Sequence, residues 1–93
     1  MTSHVVYVLE CADGSWYTGY TNHFEKRLKR HEEGKGAKYT RGRGPFKVIH
    51  VTEYETKSEA LKAEYAFKRL PRKEKERLIY REKGDFYERT DEL

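Results

Sequence analysis

Tyr7 and Tyr17 stand ten residues apart, each inside a short run of β-forming residues. Arg27 and His31 follow, four residues apart and so one turn apart on a single helix face. Glu64 comes later, one turn from Ala60 and one turn from Lys68, bordering an apolar stripe. Side chains of these types can divide the labour of phosphodiester hydrolysis. That reaction needs a base for the attacking water, charge stabilisation on the phosphate and help for the leaving oxygen. An arginine binds phosphate oxygens bidentately. One carboxylate is enough to seat a Mg²⁺ ion that keeps most of its waters, and such an ion stabilises phosphate and leaving oxygen together. A phenol beside a guanidinium and a metal can have its pKa drawn down toward use as a base.

Other chemistries lack their parts. Gly34-Lys35-Gly36 has neither the spacing nor the hydroxyl of a nucleotide-phosphate loop. His31-Glu32 is not followed by a second histidine, since position 35 is Lys. No serine sits in a nucleophile elbow. The single cysteine, Cys11, has no histidine near it in sequence, and alone it excludes a disulfide framework or a Cys-rich zinc site.

The elements that must position these residues follow from pattern. Val5 to Leu9 is an apolar, β-branched run, and Ser15 to Tyr20 is its returning partner across Ala12-Asp13-Gly14. A two-residue turn at Asp13-Gly14 would put Tyr7 and Tyr17 on opposite faces. A three-residue loop instead sets residue 9 against 17 and residue 7 against 19, leaving both tyrosines on one face. Glycine at the third loop position favours the three-residue form. Asn22 and Glu25 have the spacing of an N-cap and its partner for a helix running to about Glu33 and ending at Gly34. Residues 34–45, with four glycines and a proline, read as a loop. Phe46 to Tyr54 reads as a third strand. Thr56 and Glu59 form a capping box for a helix from Lys57 to Leu70, with Ala60, Ala63, Phe67 and Leu70 on one face. Pro71 ends it and opens another helix over about 72–81, anchored by Leu78 and Ile79. The order β-β-α-β-α-α predicts an α+β domain, a small three-stranded, mostly antiparallel sheet flanked by helices.

At 93 residues the chain has room for one domain, set at 1–81, with an acidic tail at 82–93. No apolar run approaches the roughly 20 residues of a membrane span, and the N-terminus lacks the features of a secretory leader. A cytoplasmic, monomeric protein is the expectation. The net charge of +4 is unevenly spread. Residues 23–47 carry nine basic and three acidic side chains, and residues 68–81 carry seven and two. Two basic blocks on a small domain point to a polyanion, most often nucleic acid.

Val5-Val6-Tyr7 and Tyr17-Thr18-Gly19, with the helix and glutamate behind them, resemble the GIY-YIG endonuclease family, named for its two strand tripeptides. The resemblance covers residues 4 to about 80. It is closest to the small stand-alone bacterial members, which carry runs like Cys11-Ala12-Asp13-Gly14-Ser15 and Gly34-Lys35-Gly36-Ala37-Lys38-Tyr39-Thr40-Arg41-Gly42. The excinuclease C nuclease module is related. The resemblance implies that Tyr7 and Tyr17 match the motif tyrosines, Arg27 the catalytic arginine, His31 the polar residue one turn later, and Glu64 the ligand of a single Mg²⁺ or Mn²⁺ ion. On that footing Tyr7, then Tyr17, is the expected base, and His31 a phosphate contact or proton shuttle. Val5 replaces the first motif glycine and Thr18 an isoleucine. The asparagine that many family nucleases carry after the glutamate helix is missing: Asn22, the chain's one asparagine, precedes the first helix.

The loop from Lys35 to Lys47 adds Lys35, Lys38, Arg41, Arg43 and Lys47, with Tyr39 among them and no acidic residue. It reads as a clamp on a nucleic-acid backbone, with glycine amides able to approach phosphates. Three functions fit: a metal-dependent endonuclease acting on structured DNA in repair or recombination, a binding module that kept the fold and lost efficient catalysis, and an adaptor that works with a protein partner. DNA is the expected ligand, and RNA is open on the same residues.

Overall fold

The computed structural model describes residues 3–80. The acidic tail at 82–93 lies outside the described residues. Strands β1 (His4–Glu10), β2 (Trp16–Thr21) and β3 (Lys47–Tyr54) form one sheet in the order β2-β1-β3, with both pairings antiparallel. Helix α1 (Phe24–Glu32) lies between β2 and β3 in sequence, α2 (Lys57–Lys68) follows β3, and a third helix, α3, covers 72–80. This is the expected element order.

The hairpin has the three-residue loop. Cys11 N–H donates to the Ser15 carbonyl at 2.8 Å and Gly14 N–H to the Cys11 carbonyl at 2.9 Å. Gly14 has φ +85°, a conformation only glycine enters without strain. Leu9 therefore faces Tyr17 and Tyr7 faces Gly19.

Alternation along β1 splits the interior in two. Val5, Tyr7 and Leu9 point to a first face, packed by Tyr17, Phe24, Leu28, Phe46 and Val48. Val8 points to a second face, with Ile49, Ile79, Trp16 and Phe67. A bulge in β3 supports the split: Val8 pairs with His50 but Leu9 with Val48, so the extra residue, Ile49, joins Val8.

Helix α2 starts as its sequence predicts. Thr56 Oγ1 accepts from Glu59 N–H at 3.1 Å, and Glu59 Oε1 accepts from Thr56 N–H at 3.3 Å. Such a cap contributes about 1 kcal/mol. The Asn22–Glu25 box does not form. His23 is the N-cap, without a side-chain cap bond, because Thr21 Oγ1 takes the His23 N–H at 3.0 Å and carries the chain one residue further before it coils. Helix α3 begins on Pro71, whose carbonyl accepts from Glu74 and Lys75 N–H. Of its two expected anchors only Ile79 is buried; Leu78 is 43% exposed. Consecutive helix residues point about 100° apart and cannot share one narrow stripe. No helix among the described residues is long and apolar enough to cross a membrane.

Candidate active site

Tyr7 lies at the centre of the sheet with its side chain on the first face and no solvent exposure. Its ring meets Phe24 at 5.5 Å and Tyr17 at 6.2 Å between centroids. The hydroxyl passes over Gly19 on the partner strand. A Cβ there would come within 2.5 Å of the phenol oxygen, so this position must be bare. The motif glycine is thus a matter of room above β2, fixed by the Tyr7–Gly19 register.

His31, on the last turn of α1, is 1% exposed and boxed by Tyr7, Tyr17 and Phe46 at 5.3 to 6.1 Å. Its Nε2 lies 2.8 Å from the Tyr7 hydroxyl and its Nδ1 2.8 Å from Thr40 Oγ1. Thr40 Oγ1 donates to the Ala37 carbonyl at 2.8 Å. A hydroxyl has one proton. Having given it to Ala37, Thr40 must accept from Nδ1–H, which leaves Nε2 of a neutral ring to accept from Tyr7. Burial, then the Arg27 charge, hold the His31 pKa below the ordinary value and keep the ring neutral. The chain Tyr7 O–H to His31 to Thr40 to Ala37 runs one way, which leaves the Tyr7 oxygen as an acceptor on the side where the Arg27 guanidinium lies.

Arg27 sits one turn before His31, half-buried. It pulls the Tyr7 phenol toward ionisation, as a neighbouring cation should, but burial outweighs it, and the Tyr7 pKa is pushed up to about 12. The expected lowering is not what the folded protein produces on its own. In return the Tyr7 hydroxyl raises the Arg27 pKa. Arg27 Nε is buried and has no hydrogen-bond partner. An orphaned donor of this kind costs about 1–3 kcal/mol.

Tyr17 lies on the same face, edge-on to His31 and stacked on Tyr39 at 6.1 Å. Glu64 approaches from α2 with its side chain 17% exposed and its carboxylate 3.0 Å from Lys68 Nζ. Its charge is felt at Tyr7, where it opposes ionisation. Among the described residues no three His, Cys, Asp or Glu side chains gather into a metal-binding group. Any ion here would rest on Glu64 and water, which suits Mg²⁺, an ion that takes few protein ligands. Tyr7, Tyr17, Arg27 and His31 are therefore brought together on the first face, with Glu64 at its border.

The basic loop folds back over this group as a short 3-10 turn, Lys38–Thr40. Lys35, Lys38, Arg41 and Lys47 are exposed, and none pairs with a carboxylate among the described residues. Arg43 differs: it is bonded to Asp13 in the hairpin loop and lies 4.4 Å over the Tyr39 ring. Tyr39 itself is 44% exposed.

Thr40 and Gly36 are site residues that the sequence reading missed. Gly36 reads as a phosphate-approaching amide, yet a Cβ there would collide with the His31 ring, so its bareness makes room for the imidazole. The available signal was that Thr40 is the one aliphatic hydroxyl in an otherwise basic, glycine-rich loop.

A family model described as the GIY-YIG catalytic domain matches residues 3–77. UPF0213 protein BH0048 of Halalkalibacterium halodurans is 53% identical over 98% of this chain and 96% of its own length. UPF0213 protein OB0043 of Oceanobacillus iheyensis is 62% identical over 82% of this chain and 88% of its own. The solution structure of the BH0048 protein superposes with a TM-score of 0.61 over 98% of this chain and 96% of that one. The solution structure of protein EF2693 from E. faecalis, 53% identical, does so with a TM-score of 0.62 over 85% and 84%. The two motif tripeptides lie on the paired strands β1 and β2 and meet at Tyr7 and Gly19, and the chain belongs to the GIY-YIG catalytic-domain family, a family of nucleases.

Proposed function

We propose that this protein is a metal-dependent endonuclease acting on DNA at a structural feature rather than a long sequence, in repair or recombination in the cytoplasm, as a monomer. The observation that carries the reading is the pairing of a buried acceptor with an orphaned donor: the Tyr7 oxygen, its proton committed to His31, beside the unpartnered Nε of Arg27. A water held between a scissile phosphate and Tyr7 can give a proton to the phenol oxygen as the phenol proton passes to His31 Nε2. The relay ends with an imidazolium whose Nδ1–H is held by Thr40. Arg27 neutralises the phosphate and satisfies its own orphaned donor. Tyr17 borders the same space and positions the substrate strand. Glu64 would hold one Mg²⁺ or Mn²⁺ ion, which when bound supplies Lewis-acid stabilisation of the phosphate and the leaving oxygen. The loop cations Lys35, Lys38, Arg41 and Lys47 engage the backbone on either side.

The test is cleavage of labelled single-stranded, duplex, flap and branched DNA with Mg²⁺, Mn²⁺ or EDTA, beside Glu64→Gln. We expect metal-dependent cutting that the variant loses at unchanged DNA affinity. Binding without cutting by both proteins, with every metal, would replace the enzyme with a binding module whose Glu64 serves only its ion pair with Lys68.

A further inference from the structure

Next to the first face, around the edge strand β2, lies a cleft of about 250 Å³ lined by Trp16, Tyr17, Thr18, Tyr39, Lys68 and Lys75. We infer that this cleft takes one unpaired nucleotide of the substrate, its base against the aromatic walls and its phosphate on the lysines. The substrate class would then be nucleic acid with at least one unstacked base close to the scissile bond. The inference takes its ligand class from the nuclease reading, while its walls stand on separate observations.

The walls are rigid before any ligand arrives. Trp16 is held from three sides. Its Nε1–H donates to Glu10 at 3.3 Å, the Arg72 guanidinium lies 4.1 Å over its ring, and Tyr80 meets it edge-on at 6.4 Å. Arg72 is itself fixed by Glu76 at 2.9 Å and by the Gly14 carbonyl at 3.2 Å. Tyr39 is held by its stack on Tyr17 and by Arg43. Arg43 covers a face of Tyr39 and Arg72 a face of Trp16, so a stacking base takes the place of a guanidinium, and such stacking is sequence-tolerant because every base has a π-face.

Charge in the cleft is one-sided. Lys68 shares Glu64, but Lys75 has no carboxylate partner among the described residues and rests 5.7 Å over the Phe67 ring. No acidic residue lines the cleft. Tyr17 belongs both to the cleft and to the group around His31, so the two are continuous. A duplex keeps its bases stacked inside and presents none to such a cleft. A frayed end, flap or loop does present one.

Trp16 is the only tryptophan in the chain and forms one wall, so its fluorescence reports occupancy without any need for catalysis. The full-length protein in EDTA is titrated with three labelled DNAs of equal length: an oligothymidylate, the same strand with abasic sites throughout its centre, and a duplex. Label anisotropy reads binding while Trp16 emission reads the cleft. We expect quenching by the oligothymidylate alone, and affinity for the abasic strand lower by roughly tenfold, the scale of one base–aromatic stack. Lys75→Ala, a surface change, should weaken the oligothymidylate and leave the duplex unmoved. Tyr39→Ala should halve or abolish the quench with the Trp16 reporter intact. Strand binding without a quench, or equal affinity with and without bases, would overturn the cleft and leave the nuclease reading standing. No binding to any of the three would overturn the cleft as well. A quench in a protein that cuts nothing with Mg²⁺ or Mn²⁺ would keep the cleft as a binding site and sink the nuclease.

Discussion

One strand builds two unlike interiors. On the first face of the sheet β1 contributes Tyr7, and around it gather a buried imidazole, a half-buried guanidinium and a buried threonine hydroxyl. On the second face the neighbouring residue, Val8, meets Ile49, Ile79 and Phe67, all of them side chains without a polar atom. Apolar burial stabilises in rough proportion to area and tolerates modest repacking. A buried polar network gives little net stability, costs heavily when half-satisfied, and fixes the position of every proton in it. The second face therefore holds the fold, and the first spends that stability on keeping polar groups away from water.

The comparison can be broken most decisively at Tyr7. Tyr7→Phe keeps the ring and its packing but removes the proton acceptor. Cleavage per folded molecule should fall by about 10²- to 10⁴-fold, the usual scale for a general base, while stability falls by only about 1–3 kcal/mol, the cost of leaving His31 Nε2 unpaired. Comparable cleavage by wild type and variant would take Tyr7 out of the reaction. The mirror experiment is Ile79→Ala on the second face. Unfolding free energy should drop by about 2–5 kcal/mol, with cleavage per folded molecule unchanged at a temperature where the variant is folded. A specific loss of rate there would dissolve the distinction between faces.

Mild acid should act on the first face through His31. Because the folded His31 pKa lies below its ordinary value, an unfolded chain takes up a proton, from about pH 6.5 downward, that the folded one refuses. The stability tied to neutral His31 is complete above that pH and is lost as pH falls toward the folded value. Urea midpoints across about pH 5 to 8 should slope for wild type and flatten for His31→Gln. The smallest effect belongs to the loop. Arg41→Ala should lower the salt slope of DNA binding by about 0.9, one phosphate contact. Arg43→Ala should lower it by less, because Asp13 already matches its charge. Equal changes would mean that DNA displaces Asp13.

Much of this was legible in the chain. The three-residue hairpin loop follows from Ala12-Asp13-Gly14 and forces Tyr7 and Tyr17 onto one face. The Thr56–Glu59 box marks α2 because a cap is a local interaction, settled within four residues. What could not be read is tertiary. Nothing near Tyr7 in sequence says that its phenol will be buried against Arg27 with burial the stronger influence. Nothing near His31 names Thr40 as the partner that sets its tautomer. The same holds for α1, whose start lies at His23, after a Thr21 side-chain bond to the His23 N–H, and not at Asn22. Gly36 misled for a related reason, since a glycine needed for room and one needed for approach to a phosphate look alike until the neighbour is known.

The strand order has a consequence for how the protein is born. The central strand is made before the other two strands of the sheet, and its second partner, β3, lies some forty residues later. Until Lys47–Tyr54 has been made, β1 can pair only with β2, and one of its edges stays open. The early product is a hairpin that already carries both tyrosines in their final register, waiting without its imidazole or its second flank. A nascent chain in that state exposes Val5–Leu9 along an unpaired edge, the kind of segment that seeks other strands. Emergence of β3 closes that edge, so the strand that carries Tyr7 gains its second neighbour only when the last strand of the sheet has been made.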